Sequence, residues 1–85
     1  MTEEITLFYY RNGCQLCEEL AALLFRCWPQ QAEKMEWRDV DQDAEWRRAY
    51  GQLVPVLIRG DDTICTLRPD LHRITQYFGE MTNPV

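Results

Sequence analysis

The chain has no long hydrophobic run. Its longest apolar stretch, Leu20 to Phe25, falls far short of the roughly 20 residues a bilayer-spanning helix needs. A basic secretory leader is missing too, since the sequence starts Met1-Thr2-Glu3-Glu4, acidic where such a leader is positive. These two absences predict a cytoplasmic protein with no membrane partner. No Lys/Arg stripe interleaved with aromatics interrupts a formal net charge of −5, so nucleic acid is not an expected partner. The adjacent pair Arg47-Arg48 lies beside Asp43 and Glu45 and reads as a solvated helix face. Histidine occurs once, as His72 next to Arg73, and is read as a surface residue rather than a catalytic base. Repeats and linkers are lacking, and 85 residues leave no room for a second catalytic domain.

What is present is enough for one core. Hydrophobic residues make up 46% of the chain, three are Trp, and the charges are mixed in sign, which argues against disorder. A single domain over 1–85 is expected, with its core at about 5–79, a flexible tail at 80–85 and a monomeric state. Four cysteines in a secreted chain of this size would suggest a disulfide scaffold; without an export signal they read as catalytic, metal-binding or buried thiols.

Residues 5–10 are β-branched, Leu or aromatic with little alternation, as in a strand buried on both faces, and Arg11-Asn12-Gly13 is a turn signal. Leu16, Leu20, Leu23, Leu24 and Cys27 then share one helical stripe that Pro29 closes. Residues 35–40 alternate as a strand, an acidic tract precedes a short helix over 44–50, and Gly51 supplies its end. Two strands, 53–58 and 63–67, flank a turn at Gly60-Asp61-Asp62, and Asp70 caps a final helix carrying Leu71, Ile74, Tyr77 and Phe78 inward. The order βαβαββα predicts an α/β fold, a four-stranded mixed sheet flanked by helices. Pro55 is the misfit, because a proline inside a central strand would break the ladder.

The chemistry centres on Cys14-Gln15-Leu16-Cys17, placed where the first strand hands over to a helix. A thiol there faces unpaired backbone N–H groups and the positive end of the helix dipole, which favour thiolate over thiol. The pair is a candidate redox centre, against the plainer reading of two structural thiols. A four-thiolate zinc site with Cys27 and Cys65 is disfavoured, since Cys27 lies about three helical turns, some 15 Å, from the pair and Cys65 is mid-strand. The tract Asp39-x-Asp41-x-Asp43 resembles a calcium loop but has Ala44 where glycine and Tyr50 where an acid is required, so helix capping suffices. Arg59-Gly60-Asp61 spells an adhesion tripeptide that reads here as a hairpin turn, and packing is the default role of Trp28, Trp37 and Trp46.

The strand, the Cys-x-x-Cys and a Val-Pro some forty residues later resemble the thioredoxin fold, and within it a small glutaredoxin-like protein. The matching pieces are Leu7-Phe8-Tyr9-Tyr10 with Arg11 and Gly13, the cysteine motif, Asp39-Val40-Asp41, and Tyr50 to Leu57, within a likeness over about residues 5–79. The resemblance implies a cis Val54-Pro55 bond whose loop lies against the cysteines, making Val54 and Pro55 docking residues for an extended peptide or glutathione. It implies Cys14 as nucleophile and Cys17 as resolving thiol, Arg11 as the basic residue before the cysteines, and Asp70 as the acidic residue that holds glutathione. No tightly bound cofactor or metal is implied. Protein disulfides or glutathione mixed disulfides are the implied substrates, with glutathione, a flavoprotein reductase or a dedicated partner as electron donor. Two departures stand out: the family's Pro-Tyr between the cysteines is Gln15-Leu16, and its Gly-Gly plus acid after the fourth strand is Leu67-Arg68-Pro69-Asp70. The alternatives are a redox-silent interaction module, and a metal- or cluster-binding protein, including an iron–sulfur cluster bridging two chains through Cys14 and glutathione.

Overall fold

The computed structural model describes residues 4–82. Strand β1 (Thr6–Tyr10) is followed by helix α1 (Gln15–Cys27), a short helix α2 (Pro29–Lys34) and strand β2 (Glu36–Asp39). A 3-10 turn at Val40–Gln42 leads to helix α3 (Ala44–Tyr50), the hairpin β3 (Val56–Arg59) and β4 (Asp62–Thr66), and helix α4 (Leu71–Phe78). The strands form one sheet in the order β2-β1-β3-β4, parallel between β1 and β2 and antiparallel elsewhere. This mixed sheet with flanking helices is the thioredoxin-like arrangement that the sequence predicts.

Two elements depart from expectation. Pro29 ends α1 but also opens α2, because its missing N–H and fixed φ suit the first helical position and Gln30, Gln31, Ala32, Glu33 and Lys34 are sound helix formers. The order is therefore βααβαββα. Strand β3 begins at Val56 rather than Leu53, which places Pro55 outside the ladder and removes the conflict raised by its missing N–H. Of the tail expected at 80–85, Met81 packs on the core, and the Thr82 N–H donates to the Cys27 carbonyl at 2.7 Å. The remainder, 83–85, lies outside the described residues.

The sheet separates two apolar clusters. On one side the stripe of α1 (Leu20, Leu24, Cys27) packs with Phe8, Trp28, Leu57, Ile64 and Ile74, all but fully buried. Each such aliphatic side chain contributes about 1.5–3 kcal/mol relative to exposure. Trp28 satisfies its indole N–H on the Gly79 carbonyl at 2.8 Å, pinning the end of α4 to the end of α1. The second cluster joins Tyr9, Val40, Val54, Val56 and Ile58 to Cys17, with Cys14, Trp46 and Tyr50 packed against it. Thus the cysteine pair sits at the rim of the smaller core, whereas Cys27 and Cys65 belong to the larger one.

Candidate active site

Helix α1 starts at the motif itself. Gly13, with φ of 79°, turns the chain out of β1, and Cys14 takes the extended conformation of a cap residue. Its sulfur accepts the backbone N–H of Cys17 at 3.1 Å, and its carbonyl accepts that of Glu18 at 3.1 Å. Cys14 thereby occupies the position usually held by Ser, Thr, Asp or Asn, where developing negative charge on sulfur meets unpaired backbone donors. The two cysteines form a disulfide with Cα atoms 5.2 Å apart. Cys14 is half-buried while Cys17 is 3% exposed, so an incoming group meets Cys14 first.

The loop before the motif is held from two sides. The Arg11 guanidinium binds both carboxylate oxygens of Asp41, at 2.9 and 3.1 Å, and donates a third bond to the Gly51 carbonyl at 3.2 Å. Asn12 donates to Asp39 at 3.2 Å, and the other Asp39 oxygen accepts the Asp41 N–H at 2.9 Å. Gly51 has an ordinary helical φ of −55°; it is small because a Cβ would lie 3.2 Å from the Arg11 guanidinium and 2.5 Å from the Arg47 carbonyl. Asp43 caps α3 through the N–H groups of Glu45 and Trp46. The three aspartates therefore serve a loop tie, an ion pair and a cap.

The Val54-Pro55 peptide is cis, and Val54, 8% exposed, lies in the same cluster as Cys17 and Cys14. Beside it, Leu67 has φ of 67°, and its N–H is shared between the carbonyls of Leu53 and Pro55 at 3.0 and 2.9 Å. Asp70 spends its carboxylate on the Arg73 N–H at 3.1 Å, capping α4. The structure thus gathers Cys14, Cys17 and Val54-Pro55, ties Arg11 to Asp41, and uses Asp70 at the start of another helix.

Cys65 contrasts with Cys14. Burial pushes its thiol pKa up, only partly opposed by a hydrogen bond with the Asp70 backbone, so it stays protonated. Among the described residues no group of three or more His, Cys, Asp or Glu side chains converges to hold a metal ion. No described helix is long and apolar enough to cross a membrane. His72 is exposed on α4 and hydrogen-bonds to Gln76. Sequence reasoning missed Asp41 as the partner of Arg11, although the Asp tract was visible, and missed the left-handed backbone of Leu67, for which a leucine gives no signal.

The sequence matches the Glutaredoxin-like domain family (DUF836) over residues 5–79. The chain belongs to the glutaredoxin-like family. The solution NMR structure of protein Ne2328 from Nitrosomonas europaea is similar to this glutaredoxin-like chain, with 28% identity, a TM-score of 0.66, and coverage of 92% of this chain and 94% of that one. A search of curated proteins found no match. The family assignment supports a thiol-redox fold and agrees with the geometry of the Cys14-Cys17 disulfide at the head of α1.

Proposed function

We propose that this glutaredoxin-like protein is a thiol–disulfide oxidoreductase that reduces protein or glutathione mixed disulfides through Cys14 and Cys17. The carrying observation is the asymmetry of the pair: a half-buried Cys14 whose sulfur already accepts a helix N–H, and a buried Cys17 behind it. In the reduced protein the Cys14 thiolate attacks one sulfur of the substrate disulfide. That S–S bond breaks, the leaving thiolate takes a proton, and Cys14 is left in a mixed disulfide. Cys17 then loses its proton and attacks the Cys14 sulfur, releasing the second substrate thiol. Two electrons pass from the dithiol to the substrate, and the Cys14-Cys17 disulfide re-forms. An external thiol donor, glutathione or a reductase protein, returns the electrons. Val54 and Pro55 offer the surface against which the substrate lies. The protein works in this reading as a cytoplasmic monomer with no tightly bound cofactor.

The test is a pair of single substitutions in the reduced protein. Cys14→Ser abolishes reduction of an insulin-type protein disulfide and of a glutathione mixed disulfide. Cys17→Ser accumulates a covalent adduct at Cys14, visible as added mass and lost on treatment with reductant. Full activity in both variants overturns the assignment.

A further inference from the structure

A cleft of about 210 Å³ whose lining includes neither Val54 nor Pro55 opens beside Cys17 at the first turns of α1. Its walls are Phe8, Tyr10, Ala21 and Trp37, with the buried Cys17 at its base and Glu18 at its rim. The aromatic wall is fixed by packing: Trp37 lies 4.5 Å from Phe8 between ring centroids and stacks on Phe25 at 5.5 Å. Small-molecule sites span roughly 300–1,000 Å³, so this volume suits one bulky side chain better than a whole ligand.

The two charged residues that line it, Arg11 and Glu18, differ in their partners. Arg11 is bound to Asp41 and Asn12 to Asp39, whereas the Glu18 carboxylate makes no hydrogen bond or ion pair among the described residues. Of the two charged residues that line the cleft, Arg11 is thus neutralised by Asp41 and Glu18 keeps an uncompensated negative charge, in a chain whose net charge is −5. A cation approaching this rim finds a free carboxylate in a negative field.

We propose that this cleft is a specificity subsite, seating an aromatic or branched apolar side chain of a protein substrate whose neighbouring residue is Lys or Arg and pairs with Glu18. This rests on the disulfide-exchange reading above, and names the substrate class for it: a basic-apolar polypeptide segment next to the reacting cysteine.

The probe is a peptide bearing Phe beside its cysteine and then Lys, joined through that cysteine to 2-mercaptoethanol, with versions in which Phe becomes Ala or Lys becomes Glu. Replacing Phe by Ala is expected to lower kcat/KM about ten-fold, the scale for losing an apolar group from a pocket. Replacing Lys by Glu is expected to lower it about two- to five-fold, as for an exposed ion pair, and Glu18→Lys to reverse that preference. Ala21→Phe, which fills the cleft, lowers the ratio of Phe-peptide turnover to bis(2-hydroxyethyl) disulfide turnover about ten-fold. A second readout is independent of redox chemistry: the Phe-Lys peptide with Ser in place of Cys shifts the Trp37 indole N–H resonance, and Ala21→Phe abolishes the shift. Peptides reduced within two-fold of one another, with no Trp37 shift, overturn the subsite and leave the oxidoreductase standing. A Trp37 shift with no disulfide reduced upholds the subsite and overturns the redox reading. If phenethylammonium alone shifts Trp37 as strongly as the peptide, the occupant is a small molecule and the proposal fails.

Discussion

Arg11 and Asp41 stand 30 residues apart in sequence and meet in a two-point bridge, Nε to Oδ2 at 2.9 Å and the second guanidinium nitrogen to Oδ1 at 3.1 Å. Together with the bond from Arg11 to the Gly51 carbonyl, the bridge joins the loop that presents Cys14 to the end of α3, from which the chain runs to Val54-Pro55. The planar guanidinium suits this task, since it holds a carboxylate bidentately and still has donors left for a carbonyl.

The bridge also occupies the positive charge three residues before Cys14. Asp41→Asn removes a negative charge and leaves the Arg11 charge uncompensated near Cys14, so alkylation of reduced Cys14 by iodoacetamide should reach its half-maximal rate at lower pH. Arg11→Ala should shift that profile upward, and the double variant should fall between the two. Both side chains are more than a third exposed, so the stability lost with the bridge is at most about 1 kcal/mol. Identical alkylation profiles in all four proteins would show that the bridge has no influence on the thiol.

Asp70 separates a capping role from ligand recognition. Its carboxylate accepts the Arg73 N–H, and losing a helix cap costs about 1 kcal/mol. Asp70→Ala should therefore lower the urea midpoint by that equivalent while turnover of a glutathione mixed disulfide stays within two-fold. Unaltered stability with a large rise in KM for that substrate would mean instead that Asp70 contacts glutathione.

Helix α1 was legible because Leu20, Leu24 and Cys27 recur at helical spacing, although Leu16 of the same stripe is exposed. Strand β1 was legible because it is a short continuous run of β-branched, Leu and aromatic residues, and the cysteine motif because its place at a strand-to-helix junction has a physical meaning. The short helix α2 was not, since the five polar-rich residues after Pro29 carry no periodic stripe and only Ala32 among them is buried. Asp41 escaped for a different reason. An ion pair between residues 11 and 41 depends on the parallel pairing of β1 with β2, which sets Tyr10 beside Asp39. The local acidic pattern offered caps and a calcium loop, and only the tertiary fold chooses a partner for each carboxylate. Leu67 is harder still, because its left-handed backbone runs against the preference of its residue type.

That backbone is testable. The Leu67 N–H is fixed by two carbonyls, and the next N–H, of Arg68, bonds to the Thr66 carbonyl at 2.6 Å, closing a tight turn around a non-glycine residue with positive φ. Strain of this kind costs on the order of 1–3 kcal/mol, while a glycine adds unfolded-chain entropy worth about 0.4–1 kcal/mol. Leu67 is 42% exposed, so removing its side chain gives up about half of a core leucine's burial, on the order of 1 kcal/mol. Leu67→Gly should therefore stabilise the protein, by no more than about 1 kcal/mol in urea unfolding. A loss of stability would mean that the leucine side chain contributes more through packing than its backbone costs.

Alkaline pH probes the two cores separately. Burial raises the Cys65 thiol above its ordinary 9.0, and burial, then the neighbouring Tyr9, raises the Tyr50 hydroxyl above its ordinary 10.0. Both are acids that hold their protons more tightly in the folded state than in the unfolded one. Above the ordinary value the unfolded chain gives up its proton while the folded chain keeps it, so unfolding is favoured by rising pH. The stabilisation is complete below the ordinary values, 9.0 for Cys65 and 10.0 for Tyr50, and is lost as pH climbs from each of these through the raised value. In the oxidised protein Cys14 and Cys17 are tied in their disulfide and do not contribute. Urea midpoints should thus fall from about pH 9 upward. Cys65→Ala should flatten the first part of that decline, and Tyr50→Phe the part above pH 10.0. A Cys65→Ala protein whose midpoint falls as steeply from pH 9.0 as the parent's would remove the buried thiol as the source.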